Sequence, residues 1–277
     1  MTEDFAIVNG IKIYYEVKGN GYPVILIIGF GGKKEDWIAQ FDELSKYFKV
    51  IRFDNRGSGK SDRPTEGYSI DSFVEDTKEL MDYLNIDKTH IIGWSLGGMI
   101  VQNFVLTYPE RINKIVLIAT NYGFREGAVD WYKEMSLENL KKRETNPEAY
   151  FWDGALSGFY PTFRKEMKAN PKKKFYGIWS VEDLIKESTI NPPSPQDIEL
   201  QAQAIKTHNT KDRLNQIKNE TLLISPSHDR SLPKSHMYEM NEKIPNSTLV
   251  SIEKAGHNAV LSRAPEVNKL IIDFLQN

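Results

Sequence analysis

The chain contains no cysteine, so disulfides, thiolate metal sites and a cysteine nucleophile are excluded, and a reducing compartment is the natural fit. No apolar run approaches the roughly 18 residues needed to span a bilayer. The first residues, Met-Thr-Glu-Asp-Phe, lack the basic-then-apolar layout of a secretory leader. An excess of charge of one sign is also missing. The 36 basic and 38 acidic side chains leave a net charge of −2, which gives no reason to expect nucleic acid or a membrane surface as a partner. No internal repeat or low-complexity tract breaks the sequence. What remains is ordinary for a globular protein: 277 residues, 40 % hydrophobic and 27 % charged, enough to bury one large core. These features read together as a soluble, cytoplasmic protein, with its oligomeric state open.

The chain opens with alternating apolar and polar residues on either side of Asn9-Gly10, a strong hairpin signal. Pro23 to Ile28 is an uninterrupted apolar run, as in a strand buried on both faces, and it ends at Gly29-Phe-Gly-Gly32. The spacing predicts a helix over 37–48, a strand over 50–53, a glycine-rich loop over 54–64 and a helix over 70–84. A strand over 89–94, a helix over 96–108 and a strand over 113–120 follow. Strands that alternate with helices imply parallel pairing with right-handed crossovers, hence an α/β fold with a doubly wound, mostly parallel sheet. Ligand sites in such sheets lie at the carboxyl ends of the strands.

Between about 123 and 210 the alternation gives way to helical and loop patterns with many prolines and large aromatic residues. We read this stretch as an inserted helical cap, with residues 1–122 and 211–277 forming the α/β core. Bulky side chains are what a small cap needs for a core of its own; some could instead line an apolar pocket, and Trp131, Phe159 and Trp179 are the candidates, with Trp94 beneath them. Alternation resumes with strands over 220–225 and 247–252, a helix over 234–244, and a closing amphipathic helix over 265–275.

The chemistry centres on Gly93-Trp-Ser95-Leu-Gly97. A serine at a sharp strand-to-helix turn needs small neighbours because the two backbones meet closely there, and the following helix aims its amide end at any negative charge beside the hydroxyl. A serine hydroxyl near neutral pH also needs a base, and the base needs an orienting carboxylate. Asp229 and His257 supply candidates, each just after a predicted strand and in the order Ser, Asp, His. His228 adjoins Asp229 and is a rival base, but sequence neighbours rarely face each other across a hydrogen bond. His90, His208 and His236 have no motif around them and read as structural or exposed. Asp54 and Arg56 read as a buried pair that shapes the site.

With Gly93-Trp-Ser95-Leu-Gly97-Gly98, Asp54-Asn-Arg-Gly57-Ser-Gly59, Asp229 before Pro233, and Ala255-Gly-His257 in order on both flanks of the inserted stretch, the chain resembles the α/β-hydrolase fold superfamily. The resemblance is to capped serine hydrolases such as esterases, enol-lactonases and cofactor-free haloperoxidases. It implies a Ser95-His257-Asp229 triad, an oxyanion hole from the backbone N–H groups of Phe30 and Leu96, hydrolysis of carboxylic esters or lactones through an acyl-enzyme, and no metal or organic cofactor. One departure stands out: Ile28-Gly29 occupies the place of the family's usual His-Gly. Serine at position 95 argues against haloalkane dehalogenases, which use aspartate there. Carbon–carbon bond hydrolases, aminopeptidases and ligand sensors on the same fold remain as alternatives.

Overall fold

The structure is a computed structural model that describes residues 1–277. The hairpin forms as expected: β1 (Thr2–Val8) and β2 (Ile11–Lys18) pair antiparallel about Asn9 and Gly10, which take φ of 49° and 76°, the positive values a tight hairpin turn needs. Six further strands follow: β3 (Pro23–Ile27), β4 (Lys49–Phe53), β5 (Thr89–Trp94), β6 (Ile112–Ile118), β7 (Thr221–Pro226) and β8 (Ser247–Ile252). They form one sheet in the order β1-β2-β4-β3-β5-β6-β7-β8, parallel from β4 through β8.

Period-two alternation divides the apolar strands between two cores. Val24, Leu26 and Ile28, with Val116 and Ile118, face α1 (Ile38–Leu44) and α11 (Ala264–Gln276). Ile25 and Ile27, with Ile115 and Leu117, face α2 (Ile70–Tyr83) and α3 (Leu96–Thr107). Helices therefore pack on both sides of the sheet. The helix predicted over 37–48 is shorter, because Lys34–Trp37 winds as a tighter turn and α1 stops at Leu44. Between β6 and β7 stand α4 (Ala128–Thr145), α5 (Pro147–Gly158), α6 (Pro161–Ala169), α7 (Val181–Ser188) and α8 (Pro195–Lys206). After β7 come α9 (Lys234–Lys243) and, beyond β8, the short α10 (Ala259–Ser262). No helix is long and apolar enough to cross a membrane.

The loop after β4 corrects one expectation. Arg56 does not pair with Asp54. It forks onto Asp76 of α2, Nε to Oδ2 at 2.6 Å and Nη2 to Oδ1 at 2.7 Å, and its Nη1 donates to Gly67 O at 2.6 Å. A planar guanidinium matches a carboxylate in this way, and both partners are buried. Asp54 instead accepts the backbone N–H groups of Lys34 and Lys60, at 2.8 and 2.9 Å. Breaking a buried pair strands the remaining charge. Arg56→Ala is expected to destabilise the fold by about 3–5 kcal/mol in urea unfolding; a loss below about 1 kcal/mol would show that Asp76 finds water or another partner.

Candidate active site

Ser95 sits between β5 and α3 with φ 57° and ψ −120°, a region L-residues rarely adopt. Such a conformation costs on the order of 1–3 kcal/mol and persists only where its surroundings hold it. Here they do. Ser95 N–H donates to Ile118 O at 3.0 Å, and Ser95 O accepts from Thr120 Oγ1 at 2.7 Å and from Gly98 N–H at 2.9 Å. The close approach foreseen at the flanking glycines is severe: a Cβ on Gly97 would lie 2.0 Å from Ile27 O, and one on Gly93 would lie 2.4 Å from Gly97 O. Gly29 approaches from the neighbouring strand end, where a Cβ would lie 3.0 Å from Ser95 Cβ. The serine is thus held up at the carboxyl edge of the sheet.

The loops after β7 and β8 bring Asp229 and His257 together. His257 Nδ1 lies 2.8 Å from Asp229 Oδ2, while Asp229 Oδ1 accepts the N–H groups of Ser231 and Leu232 at 2.8 and 3.1 Å. An ionised carboxylate can only accept, so His257 Nδ1 is the donor in this bond, and in the neutral ring that tautomer leaves the lone pair on Nε2. The His257 loop is tied to the inserted helices: the N–H groups of His257 and Asn258 donate to Ser157 O and Gly158 O, the last carbonyls of α5, at 3.1 and 2.8 Å. Helix ends leave such carbonyls without intrahelical partners. A side chain on Gly256 would meet Gly158 O at 2.7 Å.

A cavity of about 940 Å³ lies over Ser95, lined among others by Phe30, Leu96, Asn121, Trp131, Tyr132 and Asp229. The Phe30 N–H has no acceptor within the protein, and Leu96, the first residue of α3, has none within its helix. Tyr132 of α4 stands edge-on to the Phe30 ring at 5.1 Å, its phenol pushed up to about 12 by burial. Asn121 Oδ1 is buried without a hydrogen-bond partner.

Three of the four aromatic side chains expected to contact substrate lie elsewhere. Phe159 and Trp179 are buried and pack against Phe163 and Phe175, with Phe175 and Trp179 stacked at 4.8 Å. They build the interior of the inserted helices together with Met167 and Val181. Trp94 is buried beneath His257, with its indole N–H on His257 O at 3.1 Å. Only Trp131 lines the cavity, and it is 65 % exposed.

The other histidines sort by environment. Burial pushes His90 and His208 down to about 4, and each ring is occupied: His90 Nδ1 accepts Lys114 N–H, and His208 contacts Asn103 and Asn121 O. His228 is exposed, with Nδ1 2.8 Å from Ser227 Oγ. His236 differs from its expectation: it lines the cavity, stacked on Tyr122 at 4.2 Å, with burial pushing it down. Its position just after Pro233, in the segment leaving β7, was the available signal. No group of three or more His, Asp or Glu side chains converges closely enough to hold a metal ion.

Residues 22–264 match the model of the alpha/beta hydrolase fold family, and the chain belongs to that family. It is 30 % identical over 279 residues to a Synechocystis protein assigned as a non-heme chloroperoxidase, covering 96 % of this chain and 95 % of that protein. Among solved structures it resembles the enol-lactonase of Burkholderia xenovorans, with 25 % identity, a TM-score of 0.82, and 99 % and 100 % of the two chains covered. The bromoperoxidase of Bacillus anthracis shares the fold at 24 % identity, a TM-score of 0.81 and full coverage of both chains.

Placement in the core or in the cavity has opposite consequences for the aromatic side chains. Trp179→Ala is expected to cost about 3–5 kcal/mol of stability. Trp131→Ala should leave thermal stability within about 0.5 kcal/mol and change only the KM for bulky substrates. Equal stability losses in the two variants would contradict this division.

Proposed function

We propose that the protein is a serine hydrolase that cleaves carboxylic esters or lactones with Ser95, His257 and Asp229. The observation that carries the reading is one cavity lined by a serine held at positive φ, by Phe30 and Leu96 beside it, and by Asp229, whose carboxylate engages Nδ1 of His257 on the adjoining loop. His257 Nε2 takes the Ser95 proton as Oγ attacks the substrate carbonyl carbon, and the carbonyl oxygen becomes an oxyanion that accepts from the Phe30 and Leu96 N–H groups. The Ser95–His257 hydrogen bond is not formed in the structure, and substrate binding must close it; catalytic bonds of this kind often tighten only in the complex.

Collapse of the tetrahedral intermediate passes the proton from His257 to the leaving alkoxide and leaves an acyl-Ser95 ester. Water, deprotonated by the same histidine, then releases the acid and regenerates Ser95. Asp229 stabilises the imidazolium in both halves. The inserted helices α4 to α8 act as a cap, with Trp131 and Tyr132 of α4 as its contribution to the acyl or alcohol pocket. The kinship with an enol-lactonase supports the ester and lactone class.

Ser95→Ala is expected to lower turnover of short-chain nitrophenyl esters and simple lactones by about 10³-fold or more with the fold intact. Intact mass spectrometry of the wild type with a slowly deacylating ester should show one added acyl group, absent from Ser95→Ala. Turnover unchanged in that variant would overturn the assignment.

A further inference from the structure

We infer that Gln201, on the inserted helix α8, is a positioning residue for the oxyanion site. The inference rests on the serine-hydrolase reading above. Gly29 to Gly32 form a turn closed by Gly32 N–H on Gly29 O at 3.2 Å, with Gly31 at φ 64° in its third position. In turns of this kind the central peptide, here Phe30-Gly31, has no partner within the turn and is the unit free to flip. Its N–H is taken by Gln201: Gly31 N–H donates to Oε1 at 2.9 Å. The next two amides are also fixed, Lys33 N–H on Asp36 Oδ2 at 2.9 Å and Lys34 N–H on Asp54 Oδ1 at 2.8 Å. From Gly31 to Lys34 every amide has an acceptor, whereas the Phe30 amide has none and is left to face a ligand.

Gln201 is itself held. It is 1 % exposed, and its Nε2 donates to Gly57 O at 3.4 Å and Ser58 Oγ at 3.3 Å. A carbonyl on the Nε2 side dictates which end of the carboxamide is the oxygen, so Oε1 must point at Gly31. The same helix covers Gly31 by packing: a Cβ there would lie 3.2 Å from Ile198 Cδ1. Lys33 adds a second tie from this loop to the inserted helices, with Nζ donating to Glu187 O and Ile190 O at 2.7 and 2.6 Å. The seating of α8 therefore sets whether the turn that carries the Phe30 amide is locked.

A residue that orders an oxyanion donor acts on the tetrahedral state and not on ground-state binding. The test compares wild type, Gln201→Met, which keeps volume and loses the acceptor, and Ser95→Ala, using a nitrophenyl ester, phenylboronic acid as the tetrahedral probe, and the product acid as the ground-state probe. Gln201→Met is expected to lower kcat by about 10- to 100-fold, less than the 10²–10³ typical of deleting a donor outright. Boronate affinity should fall by a similar factor, with KM and product affinity within about threefold. Gln201→Asn, which withdraws the carboxamide by one methylene, is read by the same criterion if the Met variant does not fold. Unchanged kcat and boronate affinity, or an equal loss of product affinity, overturns the inference. Ser95→Ala separates the two levels: if it retains turnover, the serine reading itself falls, whereas its inactivity beside a fully active Gln201 variant removes only the role of Gln201.

Discussion

The site depends on one backbone constraint, the positive φ of Ser95 between β5 and α3. The strained residue is tolerable because bonds to Ile118 O, Thr120 Oγ1 and the Gly98 amide hold it, and because Gly97 lets α3 come within contact of the β3 end. That close approach does two things together. It lifts the hydroxyl clear of the sheet, and it brings the Leu96 amide beside the loop that carries Phe30. The chemistry and the packing of α3 on the sheet are thus a single requirement, which is why four small residues, Gly29, Gly93, Gly97 and Gly98, surround the serine.

Much of this was legible in the sequence, because the signals were local and strong. Asn9-Gly10, the apolar run at Pro23 to Ile28, and Gly93-x-Ser95-x-Gly97 each specify a conformation within a few residues. Asp229 and His257 could be chosen because each follows a strand whose carboxyl end the parallel order delivers to the same edge. The aromatic residues of the inserted stretch were another matter. Composition marks Phe159, Trp179 and Trp131 alike as bulky, but burial is decided by how α5, α6 and α7 close on one another, and that is a long-range property. The pairing of Arg56 is long-range in the same way: Asp76, twenty residues away on α2, outcompetes the nearby Asp54. His236 has no motif around it, and only the packing of α9 lays it against Tyr122 and the cavity.

The inserted helices are joined to the core at the loops that carry His257 and Phe30. The carboxyl end of α5 receives the amides of His257 and Asn258, and α8 receives the Gly31 amide. Arg63 from the loop after β4 forms an ion pair with the buried Asp197 of α8. An insertion that served only to cover a cavity would need none of these bonds. The inserted helices thus hold both the loop that carries His257, through α5, and the loop that carries Phe30, through α8, and α8 also lines the cavity with Ile205.

The chemical type of the side-chain anchors on the loop proposed to hold the oxyanion changes with distance along the chain from Phe30. Asp36 and Asp54 accept the Lys33 and Lys34 amides, and burial pushes both carboxyls up to about 6. The anchor next to Phe30 is the neutral Gln201 carboxamide. A carboxylate at that position would hold the Gly31 amide equally well as an acceptor, but it would set a fixed negative charge beside the point where an oxyanion develops. In a site partly shielded from water, two like charges a few ångströms apart interact by several kcal/mol at an effective dielectric near 20. That is comparable to what one oxyanion donor contributes. A neutral acceptor holds the turn without opposing the charge that the proposed mechanism develops beside Phe30.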